Sequence, residues 1–199
     1  MNRLGVRHLG IGVLCGFLAG CGPNQVKSAE PPDAMVYAAF FAEGPRPRLD
    51  TLYLAESTLV FDALGTREPD PEHSQMLGLL KREGVSTELA SSLSQASAQK
   101  RVTHALRLPA PAHILPAVEL REIPSRDPRE YWNEFYRRYP RARGYQAFSP
   151  IGYSTDGSDA LFYYEHYCGS LCGSGKLVWV SRGPNGQWKL RKTVELWIS

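Results

Sequence analysis

The chain has 199 residues, of which 43% are hydrophobic, so it is long and apolar enough to bury the core of one domain. Its 23 lysines and arginines against 20 aspartates and glutamates give a net charge of +3 at pH 7. Without Arg3 and Arg7, which lie near the N-terminus, 21 basic residues face 20 acidic ones. A balance this even leaves too little overall positive charge to favour nucleic acid or an anionic membrane surface as the partner.

Residues 1–20 are typical of a secretion signal. Arg3 and Arg7 supply a positive segment, and residues 9–19 supply an apolar run. That run is too short to cross a bilayer as a helix, which takes about 20 apolar residues. We therefore expect residues 1–20 to be a signal peptide.

The end of the apolar run resembles the lipobox of bacterial lipoproteins. It reads Leu18-Ala19-Gly20-Cys21, and in that family the cysteine is acylated and becomes the N-terminus after the preceding residues are removed. The resemblance implies that Cys21 carries fatty acyl chains, palmitate among them, and that these anchor the protein in a membrane. Lipoproteins that are retained in the inner membrane of enterobacteria carry Asp directly after the acylated cysteine. Here Gly22 stands at that position, and the absence of Asp favours the periplasmic face of the outer membrane. The alternative is an ordinary cleaved signal that leaves Cys21 as a thiol.

Residues 21–33 are the acylated cysteine and a predicted flexible tether. The run GPNQVKSAEPPD at 22–33 has no apolar periodicity and contains three prolines. At roughly 3.3 Å per residue, an extended chain of this length reaches about 40 Å. The body, residues 34–199, can therefore stand clear of the membrane, and we expect it to be a single α+β domain.

The N-terminal half of the body is expected to be helical and irregular. Apolar periodicity favours helices at 34–43, 71–83 and 85–100. A run rich in Thr, Tyr, Leu and Val favours a strand at 51–61. Three prolines punctuate residues 105–123, which excludes a long helix and favours edge strands or irregular chain.

The C-terminal part predicts a helix followed by a sheet. Asp127 and Pro128 suit the start of a helix, and Pro140 suits its end. One aromatic face recurs along it at steps of three and four residues: Trp132, Phe135, Tyr136 and Tyr139. Four runs of strand length follow, and alternation in the last of them, 187–198, predicts one buried and one wet face. The expected fold is α+β, with an antiparallel sheet of about four C-terminal strands packed by the aromatic-faced helix.

Cysteine use singles out Cys168 and Cys172 in the run HYCGSLCGSG. Cys15 leaves with the signal and Cys21 is expected to carry lipid, so only this pair remains. In an oxidising envelope compartment an even pair favours a structural disulfide that fixes a glycine-rich turn. Reduced structural thiols, a redox pair, and a zinc site completed by His166 stay open as alternatives.

Four guanidinium groups and one indole are the candidate ligand-binding residues. The residues are Arg137, Arg138, Arg141, Arg143 and Trp197. The arginines lie beside tyrosines, a combination that suits anionic glycans or phosphates, and a solvated helix end is the alternative. The indole falls on the polar register of its strand, where it is a candidate to face a ligand, and core or edge packing is the alternative.

Residues 132–199 resemble a group of uncharacterised bacterial envelope proteins that combine a CGxLCGxG turn with an LWIS-like ending, here at 168–175 and 196–199. That group has no assigned activity, so the resemblance implies one domain and supplies no catalytic residues. We expect a non-enzymatic binding or accessory module without a cofactor, whose partner is an envelope protein or a cell-wall glycan. The alternative is a thiol-redox or zinc-dependent envelope enzyme centred on His166, Cys168 and Cys172.

Overall fold

The computed structural model describes residues 32–43, 51–62, 71–98, 111–123 and 127–199. The predicted signal peptide, Cys21 and most of the predicted tether lie outside this part of the chain, so what was expected of them stays a prediction. Within the described part, no helix combines the length and the apolar character needed to cross a bilayer.

The described residues form five helices and seven strands. The helices are α1 (Pro32–Glu43), α2 (Pro71–Arg82), α3 (Thr87–Ala96), α4 (Ala117–Arg121) and α5 (Pro128–Arg138). The strands are β1 (Leu52–Ala55), β2 (Ala112–Leu115), β3 (Tyr145–Phe148), β4 (Gly152–Tyr153), β5 (Asp159–Gly169), β6 (Cys172–Arg182) and β7 (Trp188–Ile198). The predicted mixture of helices with antiparallel C-terminal strands is confirmed, whereas the predicted number of strands, about four, is too low.

All seven strands belong to one mixed sheet. Their order is β2-β1-β3-β5-β6-β7, and the two-residue β4 also pairs with β5. β2, β1 and β3 run parallel to one another, whereas β3, β5, β6 and β7 are antiparallel neighbours. The strand expected within 51–61 and the edge strand expected within 105–123 are both present. They extend the sheet, which was predicted to consist of C-terminal strands alone.

The first of the four runs of strand length, residues 145–154, forms two strands because it breaks at Ser149 and Pro150. Pro150 has no N–H to donate to a ladder. The buried hydroxyl of Ser149 accepts a hydrogen bond from the backbone N–H of Tyr163 at 2.8 Å and donates to the carbonyl of Pro150 at 2.7 Å. The side chain therefore satisfies backbone groups where the regular ladder is interrupted.

Two helix starts follow the capping chemistry of the sequence. The hydroxyl of Ser86 accepts from the backbone N–H of Leu89 at 3.1 Å at the start of α3. The carboxylate of Asp127 accepts from the backbone N–H of Arg129 at 2.8 Å at the start of α5, where Pro128 is the first helical residue. Each cap satisfies an N–H that the first helical turn leaves without an internal partner. The start predicted at Asp127 and Pro128 is confirmed.

Helices cover both faces of the sheet. The α1 face carries Phe162 and the other even-numbered residues of β5, and Phe40 of α1 packs against Phe162. The α3 face carries Leu161 and the odd-numbered residues, and Leu93 of α3 belongs to the apolar cluster on that face. All four side chains are buried, and each contributes about 1.5 to 3 kcal/mol relative to an exposed position.

The aromatic face of α5 packs over β3, β1 and β2, which lie on the opposite side of β5 from β6. Phe135 is fully buried in a cluster that includes Leu115 of β2 and Tyr145 of β3. Tyr145 pairs with Tyr167, which lies on the same face of β5 as Tyr163 of the α3 cluster. Helices α5 and α3 therefore share one face of the sheet.

Strand β7 uses both of its faces, contrary to the single buried face that its alternation predicts. Its pairing with β6 shifts register twice, at two β-bulges. Leu190, before the first shift, contacts the cluster on the α1 face, whereas Val194, after it, belongs to the cluster on the α3 face. An inserted residue changes which side chains point to which face. Ile198, predicted to be buried, is 68% exposed.

We expect alanine to act in opposite directions at two glycines. A Cβ at Gly152 would lie 2.2 Å from the backbone nitrogen of Leu93, so Gly152→Ala forces β4 away from α3 and should cost about 2 kcal/mol or more. A Cβ at Gly78, inside α2, meets nothing within 4 Å, so Gly78→Ala should stabilise by about 0.5 to 1 kcal/mol through helix propensity. Urea unfolding followed by circular dichroism measures both, and equal stability of Gly152→Ala and the parent chain would contradict the close packing of β4 on α3.

Candidate functional site

A pocket of about 490 Å³ opens on the α3 face of the sheet. Its floor is formed by residues of β3 and β5, and its walls by residues 55–60, which continue β1, and by α4. Pockets that hold small ligands typically measure about 300 to 1,000 Å³. The size of this pocket therefore suits a small molecule or one to two side chains of a larger partner.

Glu165 is the acidic group in the floor of the pocket. One of its carboxylate oxygens accepts a hydrogen bond from the hydroxyl of Tyr163 at 2.7 Å, and the other accepts from the hydroxyl of Tyr167 at 2.6 Å. Both tyrosines lie two residues from Glu165 on the same face of β5. The carboxylate is half-buried, and the two donors hold its plane in one orientation.

Trp197 of β7 reaches this arrangement across β6. Its indole N–H donates to the hydroxyl of Tyr163 at 2.6 Å, so the hydrogen bonds run from Trp197 through Tyr163 to Glu165. The indole crosses Gly175, where a Cβ would lie 2.0 Å from the indole nitrogen. The polar register predicted for Trp197 is wrong because the second β-bulge turns the ring onto the α3 face. Direct contact between Trp197 and a ligand stays a prediction.

Tyrosine rings flank the carboxylate. The rings of Tyr145 and Tyr167, on paired strands, have centroids 5.2 Å apart, and Trp132 of α5 stacks on Tyr145 at 5.9 Å. Burial is the main cause that raises the pKa of Tyr145, Tyr163 and Tyr167 well above the usual value of a tyrosine. The hydroxyl groups therefore stay protonated at neutral pH, and those of Tyr163 and Tyr167 act as donors to Glu165.

Glu56 places a second carboxylate on the pocket wall. One of its oxygens accepts a hydrogen bond from the backbone N–H of Ala117, the first residue of α4, at 2.9 Å. The contact places a negative charge at a helix N-terminus. Neither Glu56 nor Glu165 forms an ion pair with a described residue. The exposed Arg121, at the other end of α4, is the cation among the described lining residues.

Cys168 and Cys172 lie at disulfide-bonding distance at the tip of the β5–β6 hairpin, with Cα atoms 5.0 Å apart. The carbonyl of Cys168 accepts a hydrogen bond from the hydroxyl of Tyr136 at 2.8 Å, which ties the hairpin to α5. His166 is engaged elsewhere, since its Nε2 lies 3.0 Å from the carbonyl of Arg143. Among the residues that the structure describes, no group of three His, Cys, Asp or Glu side chains is placed to hold a metal ion.

The four arginines do not converge on one point. Glu134 pairs with Arg137 at 2.7 Å and with Arg138 at 2.8 Å, and these bonds hold the pKa of Glu134 at about 2. Both ion pairs are exposed, as are Arg141 and Arg143 in the turn after α5. Half of the set therefore already has a counter-ion, and its predicted role toward an anionic ligand stays a prediction.

The residues that line the pocket were not identified from the sequence. A signal was nevertheless present, since Glu165 is the acidic residue in the apolar and aromatic run ALFYYEHY at 160–167 and a carboxylate in such a strand needs partners. The wall residues carry no comparable signal. Glu56 and Ala117 are 61 positions apart, and only the fold brings them together.

The chain matches no protein-family profile, no curated protein and no solved structure. The resemblance to bacterial envelope proteins therefore stays a prediction.

We expect alkaline titration to ionise part of the ten tyrosines only when the protein unfolds. Tyr139, which burial and a hydrogen bond to Glu119 shift, should titrate with a pKa of about 12, and Tyr145, Tyr163 and Tyr167 are also raised. A raised folded pKa contributes stability that is complete below the unfolded value of about 10 and is lost as the pH rises further. Phenolate absorbance and circular dichroism, recorded together, measure this coupling. Ionisation of all ten tyrosines near pH 10 with an unchanged dichroism spectrum would contradict it.

Proposed function

We propose that this protein is a lipid-anchored component of the bacterial cell envelope that acts by binding, and that the pocket over Glu165 is where it binds. The observation that carries the proposal is the fixed carboxylate in the pocket floor, which Tyr163 and Tyr167 orient. A binding site needs a few well-placed polar groups in a mostly apolar concavity. This pocket has that composition, with Ala55, Leu59 and other apolar side chains around the acid.

The proposed location rests on the N-terminal sequence. The lipobox-like run ends at Cys21, and the proline-containing tether follows it. Helix α1 begins at Pro32, so residues 22–31 separate the expected lipid from the first described element. We place the body on the periplasmic face of the outer membrane, where an envelope protein or a cell-wall component is within reach of the pocket.

The thiol-redox or zinc-dependent alternative gains no support from the geometry of the described residues. The ring of His166 bonds to the Arg143 carbonyl, and Cys168 and Cys172 lie at bonding distance from each other. The cysteines occupy a hairpin tip, whereas catalytic thiols commonly lie at a helix N-terminus that lowers their pKa. We therefore assign the pair to stabilising the hairpin, by about 2 kcal/mol for a loop this short in the chain-entropy model.

Mass spectrometry of the protein extracted from membranes should find acyl chains on Cys21 and a bridge between Cys168 and Cys172. The Cys21→Ser variant should leave the membrane fraction, because acyl chains contribute about 0.8 kcal/mol per buried CH₂. Alkylation before and after reduction reports on the bridge, and the Cys15→Ser variant is the control for loss of a cysteine inside the signal. An unmodified Cys21 in a membrane-bound protein would contradict the anchor. Freely alkylated thiols, or thiols exposed only by a chelator, would favour the redox or zinc alternative.

Filling the pocket should abolish capture of the partner. Ala117 lines the pocket on α4 and is half-buried, so Ala117→Phe places a ring in the cavity. The matched control is Val118→Phe, because the next residue is 49% exposed and does not line the pocket. In crosslinked envelopes, Ala117→Phe should lose the proteins or glycans recovered with the parent chain, and Val118→Phe should retain them. Equal recovery with both variants would place binding elsewhere on the surface.

A further inference from the structure

We propose that the pocket binds an organic cation, an ammonium or guanidinium group carried on an alkyl stem. This inference rests on the proposed function, in which the pocket over Glu165 is the binding site. Three features of the described residues point to this chemistry. They are the two carboxylates that form no ion pair with a described residue, the aromatic rings beside one of them, and the apolar surface around both.

The first feature is the charge of the pocket. Glu56 and Glu165 each bring a negative charge, and the groups that hydrogen-bond to them are neutral: two tyrosine hydroxyls and one backbone N–H. No described lysine, arginine or histidine forms an ion pair with either acid. A carboxylate has about four lone-pair sites, so each acid keeps acceptor capacity for a cationic donor. Arg121 opposes this charge, but it is exposed on the wall and not in the floor.

The second feature is the pair of rings beside Glu165. Tyr145 and Tyr167 lie next to each other with ring centroids 5.2 Å apart, and both line the pocket. Their faces carry partial negative charge and attract a cation at about 6 Å or less from the ring centre. An ammonium or guanidinium group that bonds to Glu165 would lie close to both rings. An anionic ligand would be repelled by the rings and by the carboxylates.

The third feature is the apolar wall, which selects an organic cation over a metal ion. The apolar lining residues are Ala55, Leu59, Val60, Ala117 and Leu120 in the walls and Ala147 in the floor. A hard metal ion gains nothing from such a surface and seeks about six or more oxygen ligands. An alkyl stem of about four carbons can lie along the apolar wall while its charged end reaches Glu165, as lysine and arginine stems do on protein surfaces.

The test uses the lipidated protein in detergent and four probes that share one stem: butylammonium, butylguanidinium, butanol and butyrate. Trp197 reports on the floor, because its indole N–H bonds to Tyr163, which in turn bonds to Glu165. Both cations should shift the Trp197 indole resonance in a saturable manner, and butanol and butyrate should not. The Trp197→Phe variant assigns that resonance among the four tryptophans. Binding of the four probes is measured on the parent chain, so this measurement does not require any variant to fold.

Glu165→Gln should weaken cation binding at least tenfold, since it removes the charge but keeps the size of the side chain. Glu195→Gln is the matched control, because Glu195 is an acid of the same sheet that pairs with Lys176 and does not line the pocket. No saturable shift with either cation, equal shifts with butyrate, or equal losses in the two variants would overturn the proposal.

The same chemistry occurs in lysine or arginine side chains of a protein partner and in small free amines. An acetylated Gly-Lys-Gly amide that binds more tightly than butylammonium would assign the source to a protein chain, and equal affinity would assign it to a free amine. The outcome also separates this inference from the proposed function. If Ala117→Phe loses its partner but the cations do not bind, the pocket is a binding site of another specificity. If neither effect is seen, both proposals fail.

Discussion

Strand β5 hydrogen-bonds along both of its edges and packs against helices on both of its faces, so it carries the sheet and two apolar clusters at once. Its neighbours are β3 and β4 on one side and β6 on the other. Phe162 and Leu161, adjacent in the chain, are both fully buried and belong to opposite faces. A strand with one face in solvent buries only one of two adjacent residues. Strand β5 buries both because helices cover each face of the sheet.

The same strand changes character at Glu165, where a carboxylate replaces the apolar side chains. A charge removed from water without partners costs several kcal/mol, and Tyr163 and Tyr167 offset this cost with two hydrogen bonds. The hydroxyl of Tyr163 accepts in turn a hydrogen bond from Trp197, which can cross to it only because Gly175 has no side chain. The geometry of the pocket floor is therefore a property of three adjacent strands and not of Glu165 alone.

Much of the fold follows from patterns that act within a few residues. The caps at Ser86 and Asp127, and the turn at Asn185 and Gly186, follow from local sequence because their hydrogen bonds join residues two or three positions apart. The glycine adopts a φ of 77°, as such a turn requires. The two faces of β7 could not be predicted in this way. Its β-bulges depend on its pairing with β6, and alternation alone assumes a regular ladder.

The sequence by itself determined where most helices and strands lie, which helices are capped and which two cysteines can pair. It also carries the lipobox-like run on which the expected location depends. Only the tertiary structure decided that β1 and β2 extend the sheet, that Trp197 hydrogen-bonds to Tyr163, and that a pocket forms between α4 and the sheet. The physical reason is the range of the interactions. Capping and periodicity join near neighbours, whereas the pocket joins residues from 55 to 167, whose approach depends on parallel pairing and on the entropy of closing long loops.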